Sequence, residues 1–455
     1  MKLRSLLLAF AFAVSIPATA HAITVKTVQG PTGVETWLSE EHALPMIAVT
    51  VALPAGSAYD PADKPGLAEL MASLLDEGAG DLSSDAFKQA LENRAIRLTA
   101  EAERDFVVVN LTTLTENADE AFRLLGLALA HPRFDSEAVE RMRVAQLASL
   151  KAQDERASQV AQKSWFATYF GTHPYAHPGP GTPASLAAIK VEDIKAFAAS
   201  HLVRDRVKVA VSGDITDAQL RKYLQQVFVP LPASSVQQVP KPPADAGKPG
   251  SHTIVRNEAA PVAIFGFSGP MRLDPDFIPT FVANYIFGGG NFSARLMDEV
   301  RDKRGLTYGI STQQADYKSA SLIIGSVQSD KAKIMTALDV TKSEMARFAK
   351  DGATAKELAD AKTFLTGSFP LGLDSNVKIA RTLNGYQRSG LGVDYVEKRN
   401  GLIQAVTLAK VNEMAKKYYD PAKLVIVIAG TPAPAAPAAP QKGAAPAEKG
   451  TTASR

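Results

Sequence analysis

At 455 residues, 46% of them apolar, the chain is too long for one typical domain and has ample material for buried cores. A formal net charge of +3 with no Lys/Arg cluster argues against a nucleic-acid partner, and the absence of cysteine excludes disulfides and a thiol nucleophile. Residues 1-22 read as a secretory signal: Lys2 and Arg4, then the apolar run Leu6 to Ile16, then Ala20-His21-Ala22 as an A-x-A site, with cleavage expected after Ala22. That run is shorter than the ~20 residues a membrane span needs. No other stretch is long enough, so the mature chain is expected to be exported, with a periplasmic location.

Ile23 to about Pro54 reads as paired strands, with Ile47, Val49, Val51 and Leu53 alternating with smaller residues. Gly66 to Gly78 reads as an amphipathic helix. Leu67, Leu70, Met71, Leu74 and Leu75 make its apolar stripe, and Gly78 is placed to end it. Glu69, Ala72, Ser73 and Asp76 occupy the flank. A helix at Ser84 to Asn93, with Ser84 or Asp85 as N-cap, precedes strands at 96–103 and 105–114. Asn117 to Ala130 is a helix stopped by His131-Pro132, and Ser136 to about Trp165 is one long helical pattern. A Pro-rich loop at Tyr169 to Pro183, a helix at 191–201 and a strand at 207–211 complete this part.

The order then repeats. Strand 262–267, helices 278–287 and 293–303, strands 306–313 and 321–327, and helices from Lys331 and from Thr354 parallel the first half. The approach to Gly213 and the approach to Gly430 match most clearly. The expected fold is therefore α+β: two homologous α/β-sandwich halves of about 200 residues. Each is a mostly antiparallel sheet with helices on one face. The expected division is 23-229, a Pro-rich linker at 230-250, 251-430, and a low-complexity Ala/Pro tail at 431-455, read as disordered.

Several dispersed motifs now come together. The first half holds Gly66-Leu67-Ala68, Phe134-Asp-Ser-Glu-Ala-Val-Glu-Arg and His173-Pro-Tyr. The second holds Phe287-Gly-Gly-Gly, Ser293-Ala-Arg-Leu and Val300-Arg-Asp-Lys-Arg-Gly-Leu-Thr-Tyr308. On these residues the chain, from about Val25 to Gly430, resembles the insulinase/pitrilysin-type peptidases, the H-x-x-E-H inverzincins, whose halves close as a clam-shell. In that family two His at i and i+4 bind zinc, the Glu between them is the general base, and a Glu on the following long helix is the third ligand. The matching positions here are Glu69, Ala72, Ser73 and Ser149 (or Ala148, one residue out of register). Serine and alanine lack the charge and lone-pair geometry of zinc ligands, so no bound zinc is expected. Other metal sites fare no better. His173 and His177 are separated by prolines that prevent a shared helix face, and Glu69 with Asp76 reads as a solvated face.

The resemblance also implies what is kept. Arg301 and Tyr308 match an Arg and a Tyr that reach across the chamber to the peptide near the scissile bond, where the Tyr hydroxyl stabilises the oxyanion. The helix carrying Arg301 is expected to end at Gly305, letting the two side chains converge. Gly288, Gly289 and Gly290 lack the Lys-Ser/Thr of a phosphate loop and read as a flexible turn bordering bound peptide, a substrate-binding element. These features imply a non-catalytic subunit, inactive alone, of a heterodimeric zinc metallopeptidase. An H-x-x-E-H partner would carry the zinc, and unfolded peptides would be the substrate. The alternative is a peptidase-fold binding or scaffold protein with no role in proteolysis. A hydrolase of another type would need a nucleophile and base, and no Gly-x-Ser-x-Gly elbow is present.

Overall fold

The computed structural model describes residues 23–30, 33–233, 238–242 and 246–433. The signal sequence and most of the Ala/Pro tail lie outside them. The first half contributes β1 (Lys26–Gln29), β2 (Glu35–Glu40), β3 (Met46–Leu53), β4 (Arg97–Ala102), β5 (Val107–Leu114) and β6 (Lys208–Gly213). They form one sheet in the order β1-β2-β6-β3-β5-β4. The second half contributes β7 (Gly250–Ile254), β8 (Val262–Ser268), β9 (Gly309–Asp316), β10 (Ser321–Gln328) and β11 (Val425–Ala429). Its order is β7-β11-β8-β10-β9.

The two orders superpose strand for strand once β1 is set aside. Each half's last strand returns to the middle of its sheet, β6 between β2 and β3, and β11 between β7 and β8. Both returning strands pair parallel on one side and antiparallel on the other. β6 ends on Gly213 and β11 runs into Gly430, both with positive φ, 139° and 116°, conformations L side chains avoid. The fold is thus α+β with two related halves.

Helices of each half cover one face of its own sheet. The other face is closed from across the molecule, which no sequence pattern reveals. The helix Ala157–Phe170 of the first half lies on the second sheet, where Trp165 and Phe166 bury against Ile264, Leu322 and Val427. The Trp165 indole donates to the Val425 carbonyl at 2.9 Å, and Gly266 leaves room for the ring: a Cβ there would meet it at 2.8 Å. Reciprocally, Asn376–Arg388 of the second half lies on the first sheet, with Ile379 and Leu383 against Trp37 and Ala210. The Asn384 amide donates to Lys208 O at 2.9 Å and Thr50 O at 3.3 Å. The halves are cross-braced by exchanged helices.

The centre of the Pro-rich loop is buried in this brace. Pro174–Ala176 is a 3-10 turn, and Tyr175 is fully enclosed. The Tyr175 hydroxyl donates to Asp105 at 2.5 Å and accepts from the Ser319 N–H at 3.1 Å, joining the β4–β5 turn to the β9–β10 turn. Two described residues of the expected linker are held here as well: Pro240 O lies 2.6 Å from His173 Nε2, and Gly247 N–H donates to Tyr169 O at 2.8 Å. Other expectations shift in detail. The long helix breaks into Ser136–Asp154 and Ala157–Phe170, and Ser83 rather than Ser84 or Asp85 caps the helix Ser84–Glu92. Ser84 turns back to Glu77 at 2.5 Å.

Candidate functional site

The degenerate zinc wall comes first in the chain. Asp60 accepts from the Gly66 and Ala68 N–H groups at 2.7 and 2.8 Å, starting a helix that runs only from Leu67 to Ala72. It is shorter than the Gly66–Gly78 pattern predicts. Leu74, Leu75 and Glu77 continue with i→i−3 bonds, because Leu74 and Leu75 sink into the core and Glu77 is drawn to Lys88 at 2.6 Å and to Arg141.

The residues at the ligand positions are spoken for. Ala72 is buried among apolar side chains, and the Ser73 hydroxyl donates to Leu70 O at 2.8 Å. Burial raises the Glu69 carboxyl above its usual range, Glu101 adds to this, and a bond from the Ala102 N–H opposes it. Burial likewise raises Asp76, with Glu77 adding to it. Glu69 and Asp76 are therefore partly buried and pushed toward the neutral form, not the solvated face the sequence suggests. Ser149 accepts from the Gln153 amide at 3.1 Å. One carboxylate and two hydroxyls do not make a zinc donor set, and no group of three metal-ligating side chains occurs among the described residues. His173 uses both ring nitrogens, Nδ1 accepting from the Tyr175 N–H at 3.1 Å and Nε2 facing Pro240 O.

Arg301 and Tyr308 do come together. Met297–Asp302 is a π-helical turn, Gly305 reverses the chain at φ 58°, and β9 begins at Gly309, three residues later than the pattern suggests. Leu306 N–H donates to Val300 O at 3.0 Å, and the Thr307 hydroxyl donates to Gln328 O at 2.5 Å, fixing the reversal. Arg301 and Tyr308 then line one open cavity of 1150 Å³ with Ala259, Gln328, Asp330 and Lys333. Tyr308 is 98% exposed. The Arg301 guanidinium lies 4.9 Å from the centre of the Phe292 ring and 3.5 Å from Asp302. All residues of this cavity belong to the second half, so the degenerate wall does not share it.

A buried ion network holds the turn. Glu299, 6% exposed, accepts from Lys303 at 2.8 Å, Arg304 at 2.6 Å and Arg347 at 2.8 Å. These hydrogen bonds, that from Lys303 foremost, outweigh burial and hold its carboxyl down to about 2. Arg347 also pairs with Glu344, and Arg295 joins Glu344 at 3.5 Å to Glu357 at 2.5 Å. Sequence reasoning missed Glu299 and Phe292. A Glu amid Lys and Arg reads as an ordinary charged helix face, and only the fold buries it.

The glycine run is a π-helical turn, Tyr285–Gly289, and not a flexible loop. A Cβ on Gly288 would meet the Thr312 hydroxyl at 2.4 Å, and one on Gly290 would meet Tyr285 O at 2.8 Å. These glycines let the turn sit against β9.

The family model for Insulinase (Peptidase family M16) matches residues 37–181, and that for the Peptidase M16 inactive domain matches residues 188–365. The chain belongs to peptidase family M16. It is similar to the non-peptidase homolog YmxG of Helicobacter pylori, 27% identical over 382 residues, 83% of this chain and 88% of that protein. Among solved structures it resembles a peptidase M16 inactive domain from Pseudomonas fluorescens, with TM-score 0.84 and 28% identity, covering 91% of this chain and all of that one. A protease from Helicobacter pylori shares the fold at TM-score 0.83 and 16% identity, covering 90% of this chain and all of that one. This M16 chain is thus an inactive, peptidase-like member of the family.

Proposed function

We propose that this M16 chain is the zinc-free subunit of a heterodimeric metallopeptidase, exported to the periplasm through the signal at residues 1-22. Its partner carries H-x-x-E-H, the zinc and the base. This chain closes the other side of the chamber and presents Arg301 and Tyr308 to an unfolded peptide. The observation that carries the reading is the contrast between two walls. The ligand positions are blank, while Tyr308 projects fully exposed beside Arg301 on a turn clamped by buried ion pairs. A rigid mount under an exposed Tyr and Arg suits a pair that acts on something outside its own chain.

A zinc held by the partner would supply Lewis-acid polarisation of the scissile carbonyl and an activated water. Arg301 offers a planar fork of donors to the peptide backbone, and the Tyr308 hydroxyl donates to the developing oxyanion. Gly288, Gly289 and Gly290 would border the bound peptide; the missing side chains of Gly288 and Gly289 keep the π-helical turn against Thr312.

Co-expression with an H-x-x-E-H chain tests this. The isolated chain should show no zinc-dependent cleavage. The pair should cleave, with kcat/KM falling ~100-fold for Tyr308→Phe, the scale seen when one oxyanion donor is removed. Full activity of both Tyr308→Phe and Arg301→Ala in the complex would sink the idea of donation in trans.

A further inference from the structure

A second cavity, of 760 Å³, opens between the two halves and shares no residue with that of Arg301 and Tyr308. Its walls are the β4–β5 turn at 103–106, the segment 271–273 after β8, residues 316–318 where β9 turns towards β10, and the end of the helix Asn376–Arg388. Neither half forms it alone. A volume of this order encloses a small organic ligand or a few residues of chain.

Arg272, Lys318 and Arg388 line this cavity. Among the described residues, neither Arg272 nor Lys318 has a carboxylate within ion-pair distance. The Arg272 guanidinium lies over the Phe277 and Tyr395 rings, 4.2 and 4.9 Å from their centres, and the Lys318 ammonium lies 5.7 Å from the centre of the Phe106 ring. Rings seat a cation without neutralising it. Arg388 gives one nitrogen to Glu103 at 2.5 Å, while its Nε is buried with no acceptor among the described residues. Such a donor is costly to leave unpaired. The carboxylates of the wall are engaged elsewhere: Asp105 accepts from the Tyr175 hydroxyl and the Lys318 N–H, and Asp316 from the Ser389 hydroxyl at 3.1 Å. Burial raises both carboxyls, and it lowers the Lys318 ammonium, where Lys208 adds to the effect. The cavity therefore holds a surplus of donors that suits an anion.

The rest of the wall describes the body of that anion. Phe106, Tyr317 and Tyr386 line it, and Met271 and Leu273 stand 41% and 68% exposed beside them. One oxygen of Asp316 and one of Glu103 take no donor from the described residues. A fatty acid would leave those oxygens facing its hydrocarbon; a peptide brings main-chain N–H groups to them.

We propose that this cavity captures the free C-terminus of a peptide, with the carboxylate on Arg272, Lys318 and the Arg388 Nε, and an apolar last side chain on Met271 and Leu273. Every group invoked belongs to this chain, so the proposal does not rest on the subunit assignment or on donation by Arg301 and Tyr308. Titration calorimetry of the full-length protein tests it, with N-acetyl-Ala-Ala-Leu as the free acid and as its C-terminal amide. The acid should bind, and the amide roughly tenfold more weakly, because charge-assisted hydrogen bonds become neutral ones. Lys318→Met and Arg272→Met keep an apolar stem; each should weaken the acid roughly tenfold and leave the amide unchanged, with an unaltered circular dichroism spectrum. No binding of the acid, equal binding of acid and amide, or an affinity indifferent to both substitutions would each overturn the proposal. Octanoate that competes with the peptide acid and matches its affinity would overturn it too, since the cavity would then read an apolar carboxylate and not a peptide end.

Discussion

Arg347 donates to Glu299 at 2.8 Å, tying the helix Ile334–Asp351 to the π-helical turn that carries Arg301. Glu299 is the common acceptor for three cations, so the orientation of Arg301, two residues along, depends on a side chain that never enters the cavity. Glu299→Gln should cost roughly 1–3 kcal/mol, because three cations lose their shared charge and those with exposed ends rehydrate. Thermal unfolding should show a drop of several degrees. In the complex with an H-x-x-E-H chain, kcat/KM should fall while Arg301 and Tyr308 are intact.

Acid should weaken the same turn. Glu299 is held at about 2, and Glu357 also at about 2, where Arg295 and the Thr354 N–H outweigh burial, against 4.5 unperturbed. A carboxyl with a lower folded than unfolded pKa stabilises the fold above pH 4.5 and loses that contribution as pH falls toward 2. The melting temperature should therefore decline through this window, and less steeply in Glu299→Gln.

Asp60 has the opposite sign. Burial pushes it up to about 7 despite the two N–H groups it accepts from, so its protonated form is favoured in the fold. Its contribution is full below pH 3.8 and is lost as pH rises to about 7. Asp60→Asn should flatten the stability profile between those values in urea titrations.

The brace between the halves is open to test at Tyr175. Removing its hydroxyl leaves the buried Asp105 with the Lys318 N–H at 2.9 Å as a remaining donor. Tyr175→Phe should lower unfolding stability by about 1–3 kcal/mol. Trp165→Ala, which empties the contact between the first half's helix and the second sheet, should cost about 3–5 kcal/mol.

The blank zinc wall makes a constructive prediction. Glu69→His, Ala72→Glu, Ser73→His and Ser149→Glu together restore the family's donor types at the matching positions. Elemental analysis should find zinc bound to this fourfold variant and none retained by the natural chain. Stoichiometric zinc on the natural chain would mean that a lone carboxylate and two hydroxyls can grip the ion after all, against the donor chemistry of zinc.

Much of this protein was legible in its residues. Strand alternation, the repeated order of elements and the matched approaches to Gly213 and Gly430 fixed two related α+β halves, because local periodicity and chain reversal are short-range properties. The replacements at Glu69, Ala72, Ser73 and Ser149 needed no coordinates, since the chemistry of a donor is carried by its side chain. Tertiary structure alone decided the rest. The exchange of helices Ala157–Phe170 and Asn376–Arg388, the burial of Tyr175 and Glu299, and the meeting of Ala433 with Lys331 join residues far apart in the chain. Which distant surfaces meet is set by packing and desolvation summed over the whole molecule, and no local pattern encodes that sum.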